Sequence, residues 1–324
     1  MYTQSKLKEL VDRAIVNLSF SEEGERLTLP VKYILSMSGK RLRPVLSLMC
    51  CNLYRDKIDY AIIPSTGLEV FHNFTLVHDD IMDQAPIRRN FPTVHVKWNL
   101  NQAILSGDVM AFISNECFLQ SPTAQLHDVL RAFNKAAIEV CIGQQLDMDF
   151  EKAKMVSEEQ YLRMIELKTA MLLAASAKVG AILGEAPAKD VDNLYEFGRN
   201  LGLAFQIQDD LLDAYGDTRI FGKTAGGDIV ANKKTFLFVK AIEAASGPTL
   251  KKLKTLFSTT DTDPGEKIKS VMEIYDSLKI KSITEDLANE YLETASGFLK
   301  KVKTGNDRKA ELLSLVQSQV GRTR

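Results

Sequence analysis

Apolar residues recur at helical spacing along nearly the whole chain, while segments with the alternating pattern of a β-strand are almost absent. The residues that mark helix ends agree, because Ser157 precedes two glutamates as an N-cap and Gly184 and Gly216 follow apolar runs. No linker rich in proline, glycine or serine interrupts the 324 residues. The sequence therefore predicts an all-α fold, with residues 1–324 in a single large helical domain. The clearest predicted helices span residues 7–20, 44–54, 62–82, 102–120, 126–150, 157–183 and 191–215.

An acidic pattern, two adjacent aspartates and a third three residues later, occurs twice in predicted helices. Its members are Asp79, Asp80 and Asp83 in the first copy and Asp209, Asp210 and Asp213 in the second. Positions i and i+4 share a helix face, so the first and last aspartates of each copy can reach one ion. A single copy is more often a solvated acidic surface, but apolar residues interleave both copies and indicate that these helices are largely buried. Buried carboxylates repel one another unless a hard cation such as Mg²⁺ binds them, and Mg²⁺ usually binds phosphate oxygens as well.

Two non-helical segments carry clustered cations, and two further arginines lie just past the first acidic motif. One is a turn that opens a helix, where free backbone N–H groups also favour anions. The other is a glycine-containing segment over residues 217–234 that is typical of a mobile flap. Each is by itself more often a solvated loop, but together with the acids they predict a substrate with more than one phosphate. The cations are Lys40, Arg41 and Arg43, then Arg88 and Arg89, then Lys223, Lys233 and Lys234.

Several function classes lack support in the sequence. The 41 basic and 42 acidic residues nearly balance, so nothing calls for nucleic acid. Neither a GxxxxGK[ST] loop nor a GxGxxG motif after a strand is present, which argues against nucleotide binding. No apolar stretch is long enough to span a membrane, and the first residues do not form a signal peptide. The four cysteines make no CxxC pair, which favours reduced thiols in a cytoplasmic protein.

These motifs, taken in their order along the chain, resemble the trans-type isoprenyl diphosphate synthases. Members of that family are all-α enzymes that join an allylic diphosphate to isopentenyl diphosphate. The resemblance implies a prenyltransferase that uses isopentenyl diphosphate and dimethylallyl, geranyl or farnesyl diphosphate, and that forms a homodimer. The matching segments are residues 39–44, 76–83, 88–89, 92–93, 107–108, 168–169 and 202–210.

The resemblance also implies a role for each candidate residue. The two aspartate motifs would face each other across a central cavity and hold the allylic diphosphate through Mg²⁺, with three ions per active site. Thr169 and Gln206 would stabilise the allylic cation with their oxygens. Asn232 replaces a glycine that the family usually has, but asparagine tolerates positive φ, so the turn can persist. The allylic diphosphate would be bound by Arg88, Lys168, Lys223 and Lys233, and isopentenyl diphosphate by Lys40, Arg43, His72 and Arg89.

Product length is expected to depend on the residues one or two turns before the first aspartates. In the family these residues form the floor of the cavity, and here they are Phe71, Phe74 and Thr75. Phe71 lies eight residues before Asp79, about 12 Å along a helix, and one extended isoprene unit spans about 5 Å. This predicts a product of C15 to C20, with C20 geranylgeranyl diphosphate favoured over C15 farnesyl diphosphate. The alternative is that both phenylalanines only pack the core.

Two other functions are compatible with much of this pattern. A terpene cyclase also ionises an allylic diphosphate, but its second metal motif typically mixes Asn or Asp, Ser or Thr, and Glu. A non-catalytic partner of a related synthase is expected to have lost some acids or cations, whereas this chain retains them. The sequence therefore favours chain elongation.

Overall fold

The computed structural model describes residues 1–20, 24–216, 226–259 and 263–320. Most of these residues are helical and very few form strands, which confirms the predicted all-α fold. The helices are α1 Gln4–Val16, α2 Glu25–Ser36, α3 Leu42–Asn52, α4 Asp59–Met82, α5 Val94–Lys97, α6 Leu100–Leu119, α7 Thr123–Lys152, α8 Glu158–Ile165, a π-helical turn Glu166–Ala170, α9 Met171–Leu183, α10 Ala188–Tyr215, α11 Gly227–Val230, α12 Phe236–Ala244, α13 Gly247–Leu256, α14 Pro264–Ser277, α15 Ile280–Lys301 and α16 Asn306–Gln317. Two short strands, β1 Ile87–Arg88 and β2 Phe91–Pro92, pair antiparallel.

The described residues group into two compact units. Unit 1 contains those within 1–135, 175–195 and 301–312, and unit 2 contains those within 136–174, 196–300 and 313–324. The first aspartate motif belongs to unit 1 and the second to unit 2. A single domain over residues 1–324 therefore stays a prediction. Within the described ranges, none of the helices combines the length and the apolar character that crossing a membrane requires.

Unit 1 is built around close packing of α4 on α6. At Gly67 of α4, an added Cβ would lie 2.9 Å from the backbone oxygen of Ser114 on α6, so only glycine lets the two backbones approach this closely. The Ser114 hydroxyl also donates a hydrogen bond of 2.8 Å to the Gly67 carbonyl. This packing fixes α4, whose last turn carries Asp79 and Asp80.

A buried ion pair holds the basic turn that precedes α3. Arg41 has a φ of 51° at the N-terminus of this helix and is 5% exposed. Its guanidinium donates to Glu69 at 2.9 Å and to Asp12 at 3.0 Å, and it also donates to two backbone carbonyls at the end of α2. Since a buried charge needs this pairing, the ion pair fixes the turn that carries Lys40 and the start of α3, which carries Arg43.

Unit 2 contains the π-helical turn between α8 and α9. An added Cβ at Gly143 of α7 would lie 2.2 Å from the backbone nitrogen of Lys168, and one at Gly202 of α10 would lie 2.6 Å from the Cα of Ala170. Two glycines on separate helices therefore give the widened turn the space it occupies. The predicted helix over residues 157–183 is correct in extent, but the π-helical turn within it was not predicted. Such turns occur often at functional sites.

Candidate active site

The first aspartate motif is held by an arginine from the hairpin that follows it. Arg88 Nε donates to both carboxylate oxygens of Asp80, at 2.8 and 2.9 Å, and Arg88 Nη2 lies 3.3 Å from Asp79 Oδ2. Asp80 is 1% exposed, whereas Asp79 is partly exposed and Asp83 is exposed. Burial raises the pKa of Asp80, and the Arg88 guanidinium opposes that rise. Asp80 is thus the internally held member, and Asp79 and Asp83 are the more accessible pair.

The hairpin geometry explains how Arg88 reaches back to α4. Arg89 and Asn90 form the two-residue turn, and both have positive φ, 50° and 66°, as the favoured turn for a two-residue hairpin requires. The Thr93 hydroxyl donates a hydrogen bond of 2.7 Å to the carbonyl of Ala85 and thereby holds the end of the hairpin. The same turn brings the Arg89 guanidinium next to Gly39, where an added Cβ would lie 3.1 Å from Nη1.

Three of the four residues predicted to bind isopentenyl diphosphate, Arg43, His72 and Arg89, form a cationic cluster in unit 1. Burial, together with the nearby guanidinium groups of Arg43 and Arg89, lowers the pKa of His72 well below its usual value. Burial also lowers the pKa of Arg89, and the charges of Arg41 and Arg88 add to this while Glu69 opposes it. The Nη1 atom of Arg89 is buried and finds no acceptor among the residues that the structure describes. An anion bound here would relieve the repulsion and satisfy this donor.

The lowered pKa of His72 gives a testable pH dependence. An ordinary histidine titrates near pH 6.5, so the unfolded chain binds a proton there that folded His72 does not. We therefore expect His72 to lower the free energy of unfolding as the pH falls below about 6.5, because only the unfolded chain then gains the proton. The free energy of unfolding of His72→Asn, measured in urea between pH 5.5 and 7.5, should therefore depend less on pH than that of the parent protein. An equal pH dependence of the free energy of unfolding in the two proteins would contradict the lowered pKa of His72.

The second aspartate motif repeats this division between a buried and two accessible acids. Asp210 accepts hydrogen bonds from the Tyr161 hydroxyl, from the Phe236 backbone N–H at 3.1 Å and from Gln206 Nε2 at 3.1 Å. Burial, and then the charge of Asp228, raises the pKa of Asp210 to about 7, against the effect of its donors. The other two acids, Asp209 and Asp213, are partly exposed.

Three of the four predicted catalytic residues of unit 2, Lys168, Thr169 and Gln206, line one pocket, and the fourth, Asp209, is not among its lining residues. Lys168 and Thr169 lie on the π-helical turn, and the Thr169 hydroxyl donates to Gln206 Oε1 at 2.8 Å. Lys168 Nζ lies 2.5 Å from Asp147 Oδ2, so its charge is paired in this state. The side chains that line the pocket include Asp147, Tyr161, Lys168, Thr169, Gln206, Asp210, Asp228 and Lys233.

Three of these pocket residues were not predicted. Asp147 and Tyr161 are isolated in sequence from every recognised motif, and nothing in their neighbourhood singles them out. Asp228 follows Gly226-Gly227 within the predicted flap, and its backbone N–H donates to Asp213 Oδ2 at 2.9 Å. A glycine pair before an acid is a weak signal for such a contact.

The predicted flap is described only in its second half. Lys223 lies outside the described residues, whereas Lys233 lines the pocket of unit 2. Asn232 has a φ of 59°, which confirms that this asparagine accepts the positive φ expected of it. Lys267 Nζ donates to Asn232 Oδ1 at 2.7 Å and thereby holds the turn before Lys233.

The predicted floor residues lie in an aromatic cluster of unit 1. The ring of Phe71, 4% exposed, lies 5.2 Å from that of Phe74 and 5.0 Å from that of Phe133. Phe74 is only partly buried and also contacts the ring of His78 at 4.8 Å. Thr75 donates to the His72 carbonyl at 2.8 Å. Phe71 is therefore part of the core, whereas Phe74 has a partly exposed ring.

Comparison with known proteins identifies the family of this chain. The family model described as polyprenyl synthetase matches residues 24–275. The chain is 38% identical over 235 residues to a geranylgeranyl diphosphate synthase of Methanosarcina mazei, covering 72% of each protein. It is 33% identical over 306 residues to a short chain isoprenyl diphosphate synthase of Methanothermobacter thermautotrophicus, covering 94% of this chain and 93% of that protein.

Solved structures match over all or nearly all of the chain. A crystal structure of a geranylgeranyl pyrophosphate synthase superposes with a TM-score of 0.95 at 37% identity and covers 100% of both chains. The geranylgeranyl pyrophosphate synthetase of Pyrococcus horikoshii superposes with a TM-score of 0.91 at 32% identity, covering 98% of both chains. These matches confirm the predicted family and its fold. The chain belongs to the polyprenyl synthetase family.

Proposed function

We propose that this protein condenses isopentenyl diphosphate with an allylic diphosphate, in a magnesium-dependent reaction, to give C20 geranylgeranyl diphosphate. Membership of the family makes it a trans-isoprenyl diphosphate synthase, a transferase of prenyl groups. The observation that carries the proposal is the cationic cluster around His72, in which Arg89 Nη1 is buried without an acceptor among the described residues. An anion bound to this cluster would offset the repulsion between its cations and accept a hydrogen bond from Arg89 Nη1.

Isopentenyl diphosphate is the anion proposed for this cluster. Lys40, Arg43 and Arg89 would neutralise its diphosphate, and His72 would donate a hydrogen bond from its ring nitrogen. The allylic diphosphate would be bound by a separate set of cations. These are Arg88, which the structure pairs with Asp80, Lys168, which it pairs with Asp147, and also Lys223 and Lys233.

Magnesium fits the donor chemistry of both aspartate motifs. Mg²⁺ binds hard oxygen donors and usually takes one or two carboxylates together with phosphate oxygens. Asp79 with Asp83, and Asp209 with Asp213, offer such pairs with exposed or partly exposed carboxylates. Asp80 and Asp210, also predicted as ligands, are held by protein donors in this structure. When bound, the ions neutralise the diphosphate and make it a better leaving group. Three ions per active site stays a prediction.

The residues of unit 2 account for the remaining chemistry. The bond between the allylic carbon and the diphosphate oxygen breaks, and its electrons leave with the diphosphate. Thr169 Oγ1 and Gln206 Oε1 lie 2.8 Å apart in the pocket and offer oxygen lone pairs to the cation. The isopentenyl double bond then attacks the cation, and the released diphosphate takes the proton that leaves. No protein nucleophile is required.

The C20 length rests mainly on Phe74. Relatives named for different products have similar identity, 38% for the M. mazei geranylgeranyl diphosphate synthase and 37% for a geranylfarnesyl diphosphate synthase of Natronomonas pharaonis. The names of these relatives therefore do not decide the product length of this protein. A partly exposed Phe74 ring, backed by the buried Phe71, supports a short cavity. C15 farnesyl diphosphate is the second candidate, because a closer approach of the ring would stop the chain one unit earlier.

Mass spectrometry of the products tests both the reaction and the floor. The protein should receive Mg²⁺, isopentenyl diphosphate and, in separate reactions, dimethylallyl, geranyl or farnesyl diphosphate. We expect C20 from the parent protein and longer chains from Phe74→Ala, because removal of the ring deepens the cavity. An unaltered product length from Phe74→Ala would show that this residue only packs the core. No elongation from any primer would favour the cyclase or the non-catalytic partner.

A homodimer is the proposed assembly. Leu105, Phe112 and Leu119 recur every seven residues on α6 and are 58%, 71% and 50% exposed. An exposed apolar row of this kind is typical of an interface between subunits. Sedimentation equilibrium should give twice the mass of 36.2 kDa, and a monomer would contradict the proposal.

We also propose a cytoplasmic location. The four cysteines form no disulfide, and three of them are buried. Reduced thiols are typical of that compartment. Fractionation of the source cells tests this.

A further inference from the structure

A buried chain of hydrogen bonds in unit 2 joins Tyr161 to Thr169. The Tyr161 hydroxyl donates to Asp210 Oδ2, Gln206 Nε2 donates to Asp210 Oδ1 at 3.1 Å, and the Thr169 hydroxyl donates to Gln206 Oε1 at 2.8 Å. Tyr161 is 2% exposed and Asp210 is 5% exposed. All four side chains line the same pocket. These hydrogen bonds therefore connect the protein interior to Gln206 Oε1 and Thr169 Oγ1, the two oxygens proposed to stabilise the allylic cation.

The direction of this chain follows from which groups can donate. In this structure the amide nitrogen of Gln206 donates to Asp210 Oδ1, so the amide oxygen faces the Thr169 hydroxyl and accepts from it. Oδ2 of Asp210 is held by two donors, the Tyr161 hydroxyl and the Phe236 backbone N–H, which leaves Oδ1 for Gln206. Tyr161 thus fixes the carboxylate, and the carboxylate fixes the amide.

We propose that Tyr161 is a positioning residue that acts through Asp210 to hold Gln206 Oε1 and Thr169 Oγ1 in the orientation that stabilises the allylic cation. The proposal rests on the proposed function. It assigns Asp210 to this internal chain instead of to metal binding. It also separates the roles within the second motif, because Asp209 and Asp213 then act on the diphosphate while Asp210 acts on the cation.

A double-mutant cycle tests whether Tyr161 acts through Gln206. Tyr161→Phe keeps the ring that packs near Phe236 and removes only the hydroxyl. We expect kcat to fall by about 10- to 100-fold, the scale of a misplaced catalytic group, while KM for both substrates stays near that of the parent. In Gln206→Met, the further change Tyr161→Phe should have little additional effect on kcat. Independent effects, in which the two fold-losses multiply, would overturn the proposal.

Tyr275→Phe is the matched control. Tyr275 is 1% exposed and belongs to the same hydrophobic core as Tyr161, but its hydroxyl has no hydrogen-bond partner among the described residues. Loss of this hydroxyl should leave kcat unchanged. An equal fall in kcat for Tyr275→Phe and Tyr161→Phe would attribute the effect to general core disturbance and would overturn the positioning role.

Binding of inorganic pyrophosphate with Mg²⁺, measured by calorimetry, separates positioning from metal binding. Tyr161→Phe and Asp210→Asn should bind pyrophosphate as the parent does, whereas Asp209→Asn should bind it much more weakly. Asp210→Asn also serves as the second variant if Tyr161→Phe does not fold, and the same fall in kcat is expected from it. Weak pyrophosphate binding by Asp210→Asn would make Asp210 a metal ligand and overturn the inference.

The same experiments distinguish failure of this inference from failure of the proposed function. A parent protein that neither binds pyrophosphate with Mg²⁺ nor elongates a primer would contradict the proposed function itself. A parent protein that does both, with Tyr161→Phe showing unchanged kcat, would contradict only the positioning role of Tyr161.

Discussion

Replacement of Asp79 or Asp209 by alanine is expected to lower kcat by about 10²- to 10³-fold or more, while the helical fold remains intact. Each aspartate is the first of its motif and has a partly exposed carboxylate, so its loss removes charge from the diphosphate site and not from the core. The measurement is the rate of incorporation of isopentenyl diphosphate into product at saturating Mg²⁺, with circular dichroism to follow the helices.

Asp286→Ala supplies the control for this prediction. Asp286 is an exposed aspartate on α15, outside every predicted motif, so the change removes a surface carboxylate of the same kind. Its kcat should equal that of the parent. Parental activity in both Asp79→Ala and Asp209→Ala would overturn the assignment of the aspartate motifs to metal and diphosphate.

Most of the fold could be predicted because helical periodicity directly reflects which side chains are buried. The helix that carries the second motif was predicted over residues 191–215 and spans Ala188–Tyr215. The π-helical turn Glu166–Ala170 could not be predicted in the same way, because one widened turn hardly changes apolar spacing. Its supports, Gly143 and Gly202, lie on other helices, and sequence proximity does not reveal their contact with it.

The aspartates of the candidate site were predicted from their spacing, but the burial of the middle aspartate in each motif was not. Asp80 is buried because Arg88 reaches it from a hairpin with two positive φ angles. Asp210 is buried because Tyr161, 49 residues earlier, and Phe236, 26 residues later, both donate to it. Such long-range donors leave no periodic signal. The spacing showed that the first and last acids of each motif share a helix face, but it could not show that protein donors hold the middle one, so all three were predicted as metal ligands.

A single methyl group at Gly143 is expected to disturb both stability and catalysis. The added Cβ of Gly143→Ala would lie 2.2 Å from the backbone nitrogen of Lys168 and 2.6 Å from its Cα. Backbone atoms cannot rotate away as a flexible side chain can, so the π-helical turn must shift and carry Lys168 and Thr169 with it. We expect the free energy of unfolding to fall by about 1–3 kcal/mol or more, with a loss of kcat, measured by urea denaturation and product assay.

Gly297→Ala is the matched control for Gly143→Ala, and the two variants together test the effect of close backbone packing. Gly297 also lies within a helix, α15, but an added Cβ there would meet nothing within 4 Å. Without a clash, the change only restricts the unfolded chain and favours the helix, so it should stabilise the protein by about 0.5–1 kcal/mol. If Gly143→Ala behaved like Gly297→Ala, α7 could move away from the π-helical turn at no cost. Close backbone packing would then not be what holds Lys168 and Thr169 in the pocket.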